Sequence, residues 1–393
     1  MEIFTIIKMK KNIAILGSTG SIGKTTVNII RKNKTNYNIC LLSTNKNIKE
    51  ILKQAKNFNV KNLIIADKEK FNYIKNNKKY KKINFYNNFD DLNKIFKKKI
   101  DYTMSSISGL EGLEPTLKII KHTKKIAIAN KESIICGWNL INKEIKKNLT
   151  IFIPVDSEHF SIWSLLNNTK NDEIEEVVLT ASGGPFLNYP IKKFINISPE
   201  MAIKHPNWSM GKKISIDSAT LMNKVFEIIE AQRIFDIKIH KFKIMIHPNS
   251  YIHAIVKFKN GLIKFLAHDT DMTIPIFNSL ANNQKIKTKK IDYKTLNDLK
   301  LSIVDNKRYP SIKILKNIKN KPSLYETAIV SANDELVDLF YNKKIKFTEI
   351  SYYLQKILNL REILYYKNRF AKNHKEIKKF SEYVRLKTIN LCI

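Results

Sequence analysis

The chain has little cysteine, little arginine and no long apolar run. Its three cysteines, Cys40, Cys136 and Cys392, show neither metal-ligand spacing nor even pairing. That usage excludes a disulfide framework and is typical of a protein kept in the reducing cytoplasm. No apolar run approaches the roughly 20 residues that cross a bilayer, so we expect no membrane span and no membrane partner.

The start of the chain leaves little room for a targeting segment. An apolar strand is predicted from Asn12, and a glycine motif begins at Gly17. We therefore expect no removable presequence and a cytoplasmic location. Met1 and Met9 are both possible starts of the chain.

The scarcity of arginine changes the meaning of the net charge of +35, which alone would suggest a nucleic-acid-binding protein. Only six of the 70 basic residues are arginine, the side chain on which proteins that read DNA grooves rely for bidentate contacts. The lysines are spread through every segment beside abundant asparagine and isoleucine. We expect no nucleic-acid partner, although a diffuse positive field would help to attract a phosphorylated substrate.

The N-terminal segments predict a dinucleotide-binding domain. An apolar strand at 12–16 is followed by Gly17, Gly20 and Gly23 and by a helix to about Arg31. Glycines at such a turn let the backbone approach a pyrophosphate at the helix N-terminus. Strands and helices then alternate to about residue 153, as a parallel sheet requires. The glycine turn alone would be weak support, because such turns are common.

The end of the next predicted strand, at 39–42, favours NADP(H) over NAD(H). An NAD enzyme places Asp or Glu there to bind the ribose 2′-hydroxyl. Here residues 43–47 read Ser-Thr-Asn-Lys-Asn. Hydroxyls, amides and a cation suit the 2′-phosphate of NADP(H).

Asp156, Glu158 and Glu227 form a candidate metal site. The first two end an apolar strand that starts at Ile151, and a period of two would place them on the same side. Carboxylate oxygens suit Mg²⁺ or Mn²⁺, and three of them leave room for substrate oxygens and water. Taken singly, each carboxylate would more often be an ordinary polar strand end or helix face.

Glu227 is predicted to lie on a helix capped by Asp217 or Ser218. Asn223 and Lys224 share its face, whereas apolar residues occupy the opposite one. This face would therefore present an amide, a cation and a carboxylate to the same ligand.

Two glycine-bounded segments predict a site for a small anionic ligand. A strand at 177–181 runs into a Ser182-Gly-Gly turn, whose glycines let N–H groups approach an anion. Residues 205–211 hold His205, Trp208 and several donors, and we expect them to form a mobile lid that becomes ordered over the ligand. The alternative is an ordinary surface loop with a half-buried tryptophan.

The predicted fold class is α/β, with a Rossmann-type parallel sheet domain at 1–154 and an α+β catalytic domain at 155–283. A polar linker at 284–309 and a C-terminal helical bundle at 310–393 follow. A hairpin is expected to turn at Asn260-Gly261 in the catalytic domain, with His247 and His253 as structural residues.

Six motifs, in this order, resemble those of the 1-deoxy-D-xylulose 5-phosphate reductoisomerase family. They are GSTGSIG at 17–23, ANKES at 129–133, PVDSEH at 154–159, ASGGPF at 181–186, HPNWSMG at 205–211 and IDSATLMNK at 216–224. The resemblance implies a homodimer that converts 1-deoxy-D-xylulose 5-phosphate to 2-C-methyl-D-erythritol 4-phosphate for isoprenoid synthesis. It also implies NADPH and a divalent cation, Mg²⁺, Mn²⁺ or Co²⁺, as cofactors.

The same resemblance implies roles for individual residues. The metal ligands would be Asp156, Glu158 and Glu227, which with Lys131 and His205 form the catalytic set. The substrate-binding residues would be Lys131, Ser157, Glu158, Ser182, His205, Trp208, Ser218, Asn223, Lys224 and Glu227. The cofactor-binding residues would be Gly17, Thr19, Gly20, Ser21, Ile22, Asn45, Lys46, Asn47, Asn130, Glu132 and Gly211. Asn45, where the family has glycine, and Thr273 depart from the family pattern.

The alternative function is that of another NADP-dependent Rossmann-type reductase of a phosphorylated substrate. A semialdehyde dehydrogenase is one such enzyme, but that class needs a catalytic cysteine. Neither Cys40 nor Cys136 has a histidine nearby in sequence to activate it.

Overall fold

The computed structural model describes residues 10–208, 210–280, 291–297 and 299–393. Both possible starts, Met1 and Met9, lie outside the described residues, as do Ser209 of the predicted lid and part of the predicted linker. The chain divides into two compact units. The described parts of the first are 10–133, 140–156 and 272–280, and those of the second are 134–139, 157–208, 210–271, 291–297 and 299–393.

The elements are numbered in chain order. Within the described residues the strands are β1 Lys11–Leu16, β2 Tyr37–Thr44, β3 Asn62–Ile65, β4 Asn84–Tyr86, β5 Tyr102–Ser105, β6 Lys125–Ile128, β7 Ile151–Pro154, β8 Ile174–Ala181, β9 Phe242–Ile246, β10 Ile252–Phe258, β11 Ile263–Ala267 and β12 Ser302–Ile303. The α-helices are α1 Ser21–Lys32, α2 Ile48–Phe58, α3 Lys68–Lys75, α4 Leu92–Ile95, α5 Leu113–Ile120, α6 Lys131–Lys147, α7 Ser157–Leu165, α8 Pro199–Ala202, α9 Lys212–Ala219, α10 Met222–Phe235, α11 Thr273–Leu280, α12 Tyr293–Asn297, α13 Leu324–Tyr341, α14 Phe347–Leu358, α15 Arg361–Leu364 and α16 His374–Cys392. None of these helices is long and apolar enough to cross a membrane.

The first unit contains a parallel sheet of seven strands in the order β4-β3-β2-β1-β5-β6-β7. The central strand β1 buries Ile13 to Leu16 completely, because helices cover both faces of a parallel sheet. The glycine turn follows β1, and α1 begins at Ser21. The predicted Rossmann-type sheet is confirmed.

The first unit also takes a helix from the region assigned to the catalytic domain by sequence. Helix α11 places Ile276, Phe277 and Leu280 in the same apolar core as β1 and α1. The residues against which this helix packs are distant in sequence, so its domain could not be assigned from the local sequence. The structure thus divides the chain after Asp271, whereas the sequence suggested residue 283.

The second unit contains a mixed sheet of five strands in the order β11-β10-β8-β9-β12. Strands β10 and β11 form the predicted hairpin, and Gly261 in its turn has a positive φ of 86°. Strand β12 and helix α12 fall within the predicted linker, which is therefore partly structured. The C-terminal helices belong to the same unit, where buried residues of α13, α14 and α16 confirm the predicted helical region.

Candidate active site

The chain changes direction between the first two candidate carboxylates. Strand β7 ends at Pro154 and helix α7 begins at Ser157, so the prediction that a strand period aligns Asp156 with Glu158 is wrong. Asp156 lies in the connection, and Glu158 lies in the first turn of α7. A carboxylate at that end of a helix is favoured by the helix dipole, which offsets part of the cost of burying Glu158. Glu158 is only 8% exposed.

The segment that carries Glu227 forms two helices instead of one. Leu221, with φ of +63°, separates α9 from α10, so Asp217 and Ser218 lie in the last turn of α9 and do not cap the next helix. The Thr220 hydroxyl accepts a hydrogen bond from the N–H of Met222 at 3.4 Å, and such side-chain bonds compete with a continuous helix.

The three candidate metal ligands come together in spite of these local differences. Asp156, Glu158 and Glu227 each offer an oxygen, and these oxygens lie within 4.8 Å of one another. Three hard, anionic oxygen donors at this spacing fit a divalent cation such as Mg²⁺ or Mn²⁺.

Two lysines balance the negative charge of the carboxylates. Lys131 forms an ion pair with Asp156. Lys224 forms an ion pair with Glu158 and a second one, of 2.5 Å, with Glu227. Burial alone would lower the pKa of Lys224, but the two glutamates raise it above its ordinary value. Lys224 is therefore a buried, permanently charged ammonium group.

The Ser182 turn follows β8 as predicted and contains two positions that require glycine. Gly183 and Gly184 both have positive φ, 83° and 66°, which side-chain-bearing residues rarely adopt. A Cβ atom on Gly184 would also lie 2.9 Å from the carbonyl oxygen of Ser218. The glycine thus lets the turn lie directly against Ser218, at the end of α9.

His205 connects the predicted lid to this turn. Its Nδ1 accepts hydrogen bonds from the N–H groups of Asn207, at 3.2 Å, and Trp208, at 3.0 Å. Burial and the charge of Lys224 lower the pKa of His205 to about 4, so the ring is neutral at physiological pH. The proton of the neutral ring is therefore on Nε2, which donates to the Ser182 hydroxyl at 3.1 Å.

Trp208 is half-buried and lies beside a pair of histidines. Its ring centroid is 6.0 Å from that of His253, which stacks on His268 at 3.9 Å. His253 is held by the carbonyl of His268, and burial and the neighbouring ring lower its pKa to about 3. His247 likewise contacts the Lys300 carbonyl at 3.0 Å, which fits the structural role predicted for both residues. The part played by His268 was missed, because its partner lies on another strand.

The glycine turn of the first unit bonds side chains that the sequence had assigned to the cofactor. Ser43 accepts a hydrogen bond from the N–H of Gly17 at 2.9 Å, and Thr44 bonds Thr19 at 2.7 Å. Both residues are buried, so the prediction that these hydroxyls face a 2′-phosphate is wrong. Exposed side chains follow at residues 45–47.

Some of the other predicted cofactor-binding residues have structural roles. Asn47 caps α2, and Asn130 caps α6 by accepting from the N–H of Ser133 at 2.7 Å. Asn130 also donates to the carbonyls of residues 107 and 109, so its side chain holds the loop after β5. Gly20 is the residue before α1, where Ser21 and Ile22 follow, and Gly211 is the corresponding residue before α9 in the second unit. Glu132 lies in the first turn of α6.

Comparison with known proteins gives a consistent result along the chain. Three family models match: 1-deoxy-D-xylulose 5-phosphate reductoisomerase at 13–137, its C-terminal domain at 152–235, and the DXP reductoisomerase C-terminal domain at 268–388. The reductoisomerase of Pelagibacter ubique strain HTCC1062 is 58% identical over 387 residues, covering 98% of this chain and all of the relative. The chain belongs to the 1-deoxy-D-xylulose 5-phosphate reductoisomerase family.

Solved structures of reductoisomerases have the same architecture. The enzyme from Zymomonas mobilis in complex with NADPH is 31% identical, with a TM-score of 0.86 and coverage of 98% of this chain and 99% of that one. A complex of DOX-P reductoisomerase with NADPH, fosmidomycin and magnesium is 30% identical, with a TM-score of 0.88 and coverage of 97% and 98%.

In this reductoisomerase family member, the Ser182 turn and the chain after it are supported by two residues that the sequence motifs did not indicate. Tyr309 donates to the turn and Arg308 donates to carbonyls just after it, although both residues were placed in a polar linker. The available signal in the sequence was a tyrosine between an arginine and Pro310, within a segment whose polar composition is typical of a linker.

Proposed function

We propose that this chain catalyses the NADPH-dependent, divalent-metal-dependent conversion of 1-deoxy-D-xylulose 5-phosphate to 2-C-methyl-D-erythritol 4-phosphate, a step toward isoprenoid precursors. The observation that carries the proposal is the convergence of Asp156, Glu158 and Glu227, whose oxygens lie within 4.8 Å of one another. The relatives whose structures contain NADPH and magnesium support the same cofactors for this chain.

The carboxylates would bind the metal, and neighbouring residues would bind the substrate oxygens. Asp156, Glu158 and Glu227 would hold the cation, which supplies Lewis acidity at the ketone and hydroxyl oxygens of the substrate. Lys131, which contacts Asp156, provides a cation beside those oxygens. Ser157 would bind a substrate hydroxyl at the start of α7.

A second group of residues would bind the phosphate of the substrate. Lys224 supplies a buried positive charge, and the neutral His205 ring contributes by donating its Nε2 proton to the Ser182 hydroxyl throughout the physiological pH range. Ser182 accepts from His205 and from its own turn, so its proton is available for an anionic oxygen. Ser218 and Asn223 are the remaining proposed phosphate-binding residues.

The cofactor preference gives a direct test of the function. We expect oxidation of NADPH with deoxyxylulose phosphate only when Mn²⁺ or Mg²⁺ is present, and a clear preference over NADH. Exposed Lys46, beside the predicted 2′-phosphate position, should account for about tenfold of that preference, as a charge-assisted hydrogen bond would. The measurement is the ratio of kcat/KM for the two cofactors in the wild type and in Lys46→Glu. Lys56→Glu, at an exposed lysine on the helix α2 that follows, is the control for charge. Equal wild-type values for NADPH and NADH would contradict the preference.

Trp208 provides a test of the lid. We expect Trp208→Phe to raise KM for the substrate more than it lowers kcat, because an aromatic cover survives while contact area is lost. A phosphonate-bearing hydroxamate, added with Mn²⁺ and NADPH, should change the tryptophan fluorescence of the wild type. The variant should lose most of that change, since Trp138 and Trp163 lie outside residues 205–211, on α6 and α7. If the variant keeps both the signal and KM, residues 205–211 are an ordinary loop.

The homodimer is proposed to form through β11, an edge strand of the second sheet. Leu262, Ile263 and Phe265 are each more than half exposed there, and Trp163 is 44% exposed. An edge strand with apolar side chains is a ready surface for a second copy of the chain. A monomer by analytical ultracentrifugation would contradict the proposal. The cytoplasmic location and the lack of a nucleic-acid partner stay predictions from the sequence.

A further inference from the structure

Residues 304–309 pack against neighbours of the proposed phosphate-binding residues. Val304 and Tyr309 share one buried apolar cluster with Ala181, at the end of β8, and Leu221, at the start of α10. Ala181 precedes Ser182, and α10 carries Lys224. The side chain of Tyr309 is therefore positioned between the two elements that supply the predicted phosphate ligands, and it is only 1% exposed.

Tyr309 holds one peptide group of the Ser182 turn. Its hydroxyl donates to the carbonyl oxygen of Gly183 at 2.7 Å. The N–H of the same peptide group belongs to Gly184 and donates to the Ser182 hydroxyl oxygen at 3.0 Å. Because the C=O and N–H of a trans peptide point in opposite directions, Tyr309 and Ser182 hold the two ends of one plane.

This peptide plane would be free to rotate without such a partner. Both flanking residues, Gly183 and Gly184, are glycines, and both already occupy the left-handed region. Glycine populates several backbone conformations at similar energy, so a change of plane has little steric barrier. Burial raises the pKa of Tyr309 to about 12, so its hydroxyl keeps the proton that it donates.

Arg308 fixes the chain that follows the turn. Its guanidinium donates to the carbonyl oxygens of Phe186, at 2.7 Å, and Tyr189, at 2.6 Å. It also lies over the ring of Phe194, 5.4 Å from the centroid. These contacts prevent the end of the turn from moving away from Tyr309.

We infer that Tyr309 is a positioning residue for phosphate recognition, acting through the Gly183–Gly184 peptide on the Ser182 hydroxyl. The inference rests on the proposed function, in which Ser182 binds the substrate phosphate. Tyr309 itself does not contact the substrate in this account. Its loss weakens phosphate binding because the N–H that orients Ser182 is no longer fixed.

The test uses Tyr309→Phe, which keeps the ring and removes only the hydroxyl. We expect KM for deoxyxylulose phosphate and the inhibition constant of inorganic phosphate to rise together by about three- to tenfold, the factor for one hydrogen bond. The value of kcat and the Kd values for NADPH and Mn²⁺ should change less than about twofold. Tyr325→Phe is the matched control, since Tyr325 is equally buried in the same unit and its hydroxyl contacts Leu358.

A double-mutant cycle with Ser182→Ala separates the possible outcomes. If Tyr309 acts through Ser182, adding Tyr309→Phe to Ser182→Ala should not weaken phosphate inhibition further. Independent, multiplying effects would overturn the inference. Should Ser182→Ala weaken phosphate inhibition while Tyr309→Phe does not, the inference about Tyr309 fails and the proposed phosphate site stands. If Ser182→Ala itself leaves phosphate inhibition unchanged, the assignment of Ser182 fails and the inference fails with it.

Arg308→Met is the second variant, to be used if Tyr309→Phe does not fold. It removes the donors to Phe186 and Tyr189 and leaves the Tyr309 hydroxyl in place. KM and the phosphate inhibition constant should again rise together at nearly constant kcat. A lower melting temperature with both constants unchanged would show that this segment only stabilises the fold.

Discussion

Glu227→Gln is expected to lower kcat by at least about a thousandfold while leaving the Kd for NADPH within about twofold. The substitution keeps the shape of a side chain that is 1% exposed but replaces an anionic metal ligand with a neutral amide. It removes one of three oxygens that lie within 4.8 Å of one another. Since a bound cation contributes several kcal/mol to stabilising developing charge, a defective site loses most of the rate.

The experiment measures kcat, the Kd for NADPH and the Kd for Mn²⁺ in the same preparation. Glu230→Gln is the matched control, because Glu230 is equally buried on α10 but is not among the clustered carboxylates. The control should retain tight Mn²⁺ binding, whereas Glu227→Gln should bind Mn²⁺ weakly. A kcat above a tenth of the wild-type value would rule out the assignment of Glu227 as a metal ligand.

The nucleotide-binding half of the fold was predictable because its signals are local. The apolar strand before Gly17 and the helix predicted after Gly23 are adjacent in sequence. The structure contains both, although α1 begins earlier, at Ser21, and includes Gly23. The hydroxyls at Ser43 and Thr44 were misassigned because their partners, Gly17 and Thr19, lie about 25 residues away. A sequence shows that a polar group is present but not whether another strand uses it.

The candidate metal site illustrates a different limit. The residue types of Asp156, Glu158 and Glu227 were sufficient to predict a shared ligand, and the structure brings them together. The local structure predicted for Asp156 and Glu158 was wrong, since the strand ends at Pro154 and a helix follows. Spacings of two, three and four residues are compatible with several local conformations when turns intervene.

Tertiary packing decided the remaining assignments. Thr273 and the rest of α11 belong to the first unit because their apolar face fits the core beside α1, which no local pattern reveals. Residues 304–309 have the polar composition of a linker, yet Tyr309 is almost fully buried because its hydroxyl finds a carbonyl partner.

Lys224→Met is expected to lower both the stability of the fold and the affinity for the substrate. The ammonium group of Lys224 is the buried partner of Glu158 and Glu227. Removing one member of a buried ion-pair group typically costs about 3–5 kcal/mol, because the remaining charges are left uncompensated. Without metal, the variant should therefore unfold at a clearly lower temperature than the wild type.

Added Mn²⁺ should reverse part of this loss. A divalent cation can neutralise Glu158 and Glu227, and in the variant no ammonium group competes with it for their oxygens. The increase in melting temperature on adding Mn²⁺ should consequently be larger in Lys224→Met than in the wild type. The substrate kcat/KM should still fall by about ten- to a hundredfold, since the phosphate loses a charge-assisted hydrogen bond.

Lys213→Met is the control for loss of a lysine in the same unit. Lys213 forms ion pairs with Asp217 and Asp334, at 3.1 and 3.0 Å, away from the clustered carboxylates. Its melting temperature should respond to Mn²⁺ as that of the wild type does. If Lys224→Met shows no larger response than this control, the ammonium group does not compete with the metal. Lys224 would then serve the phosphate alone.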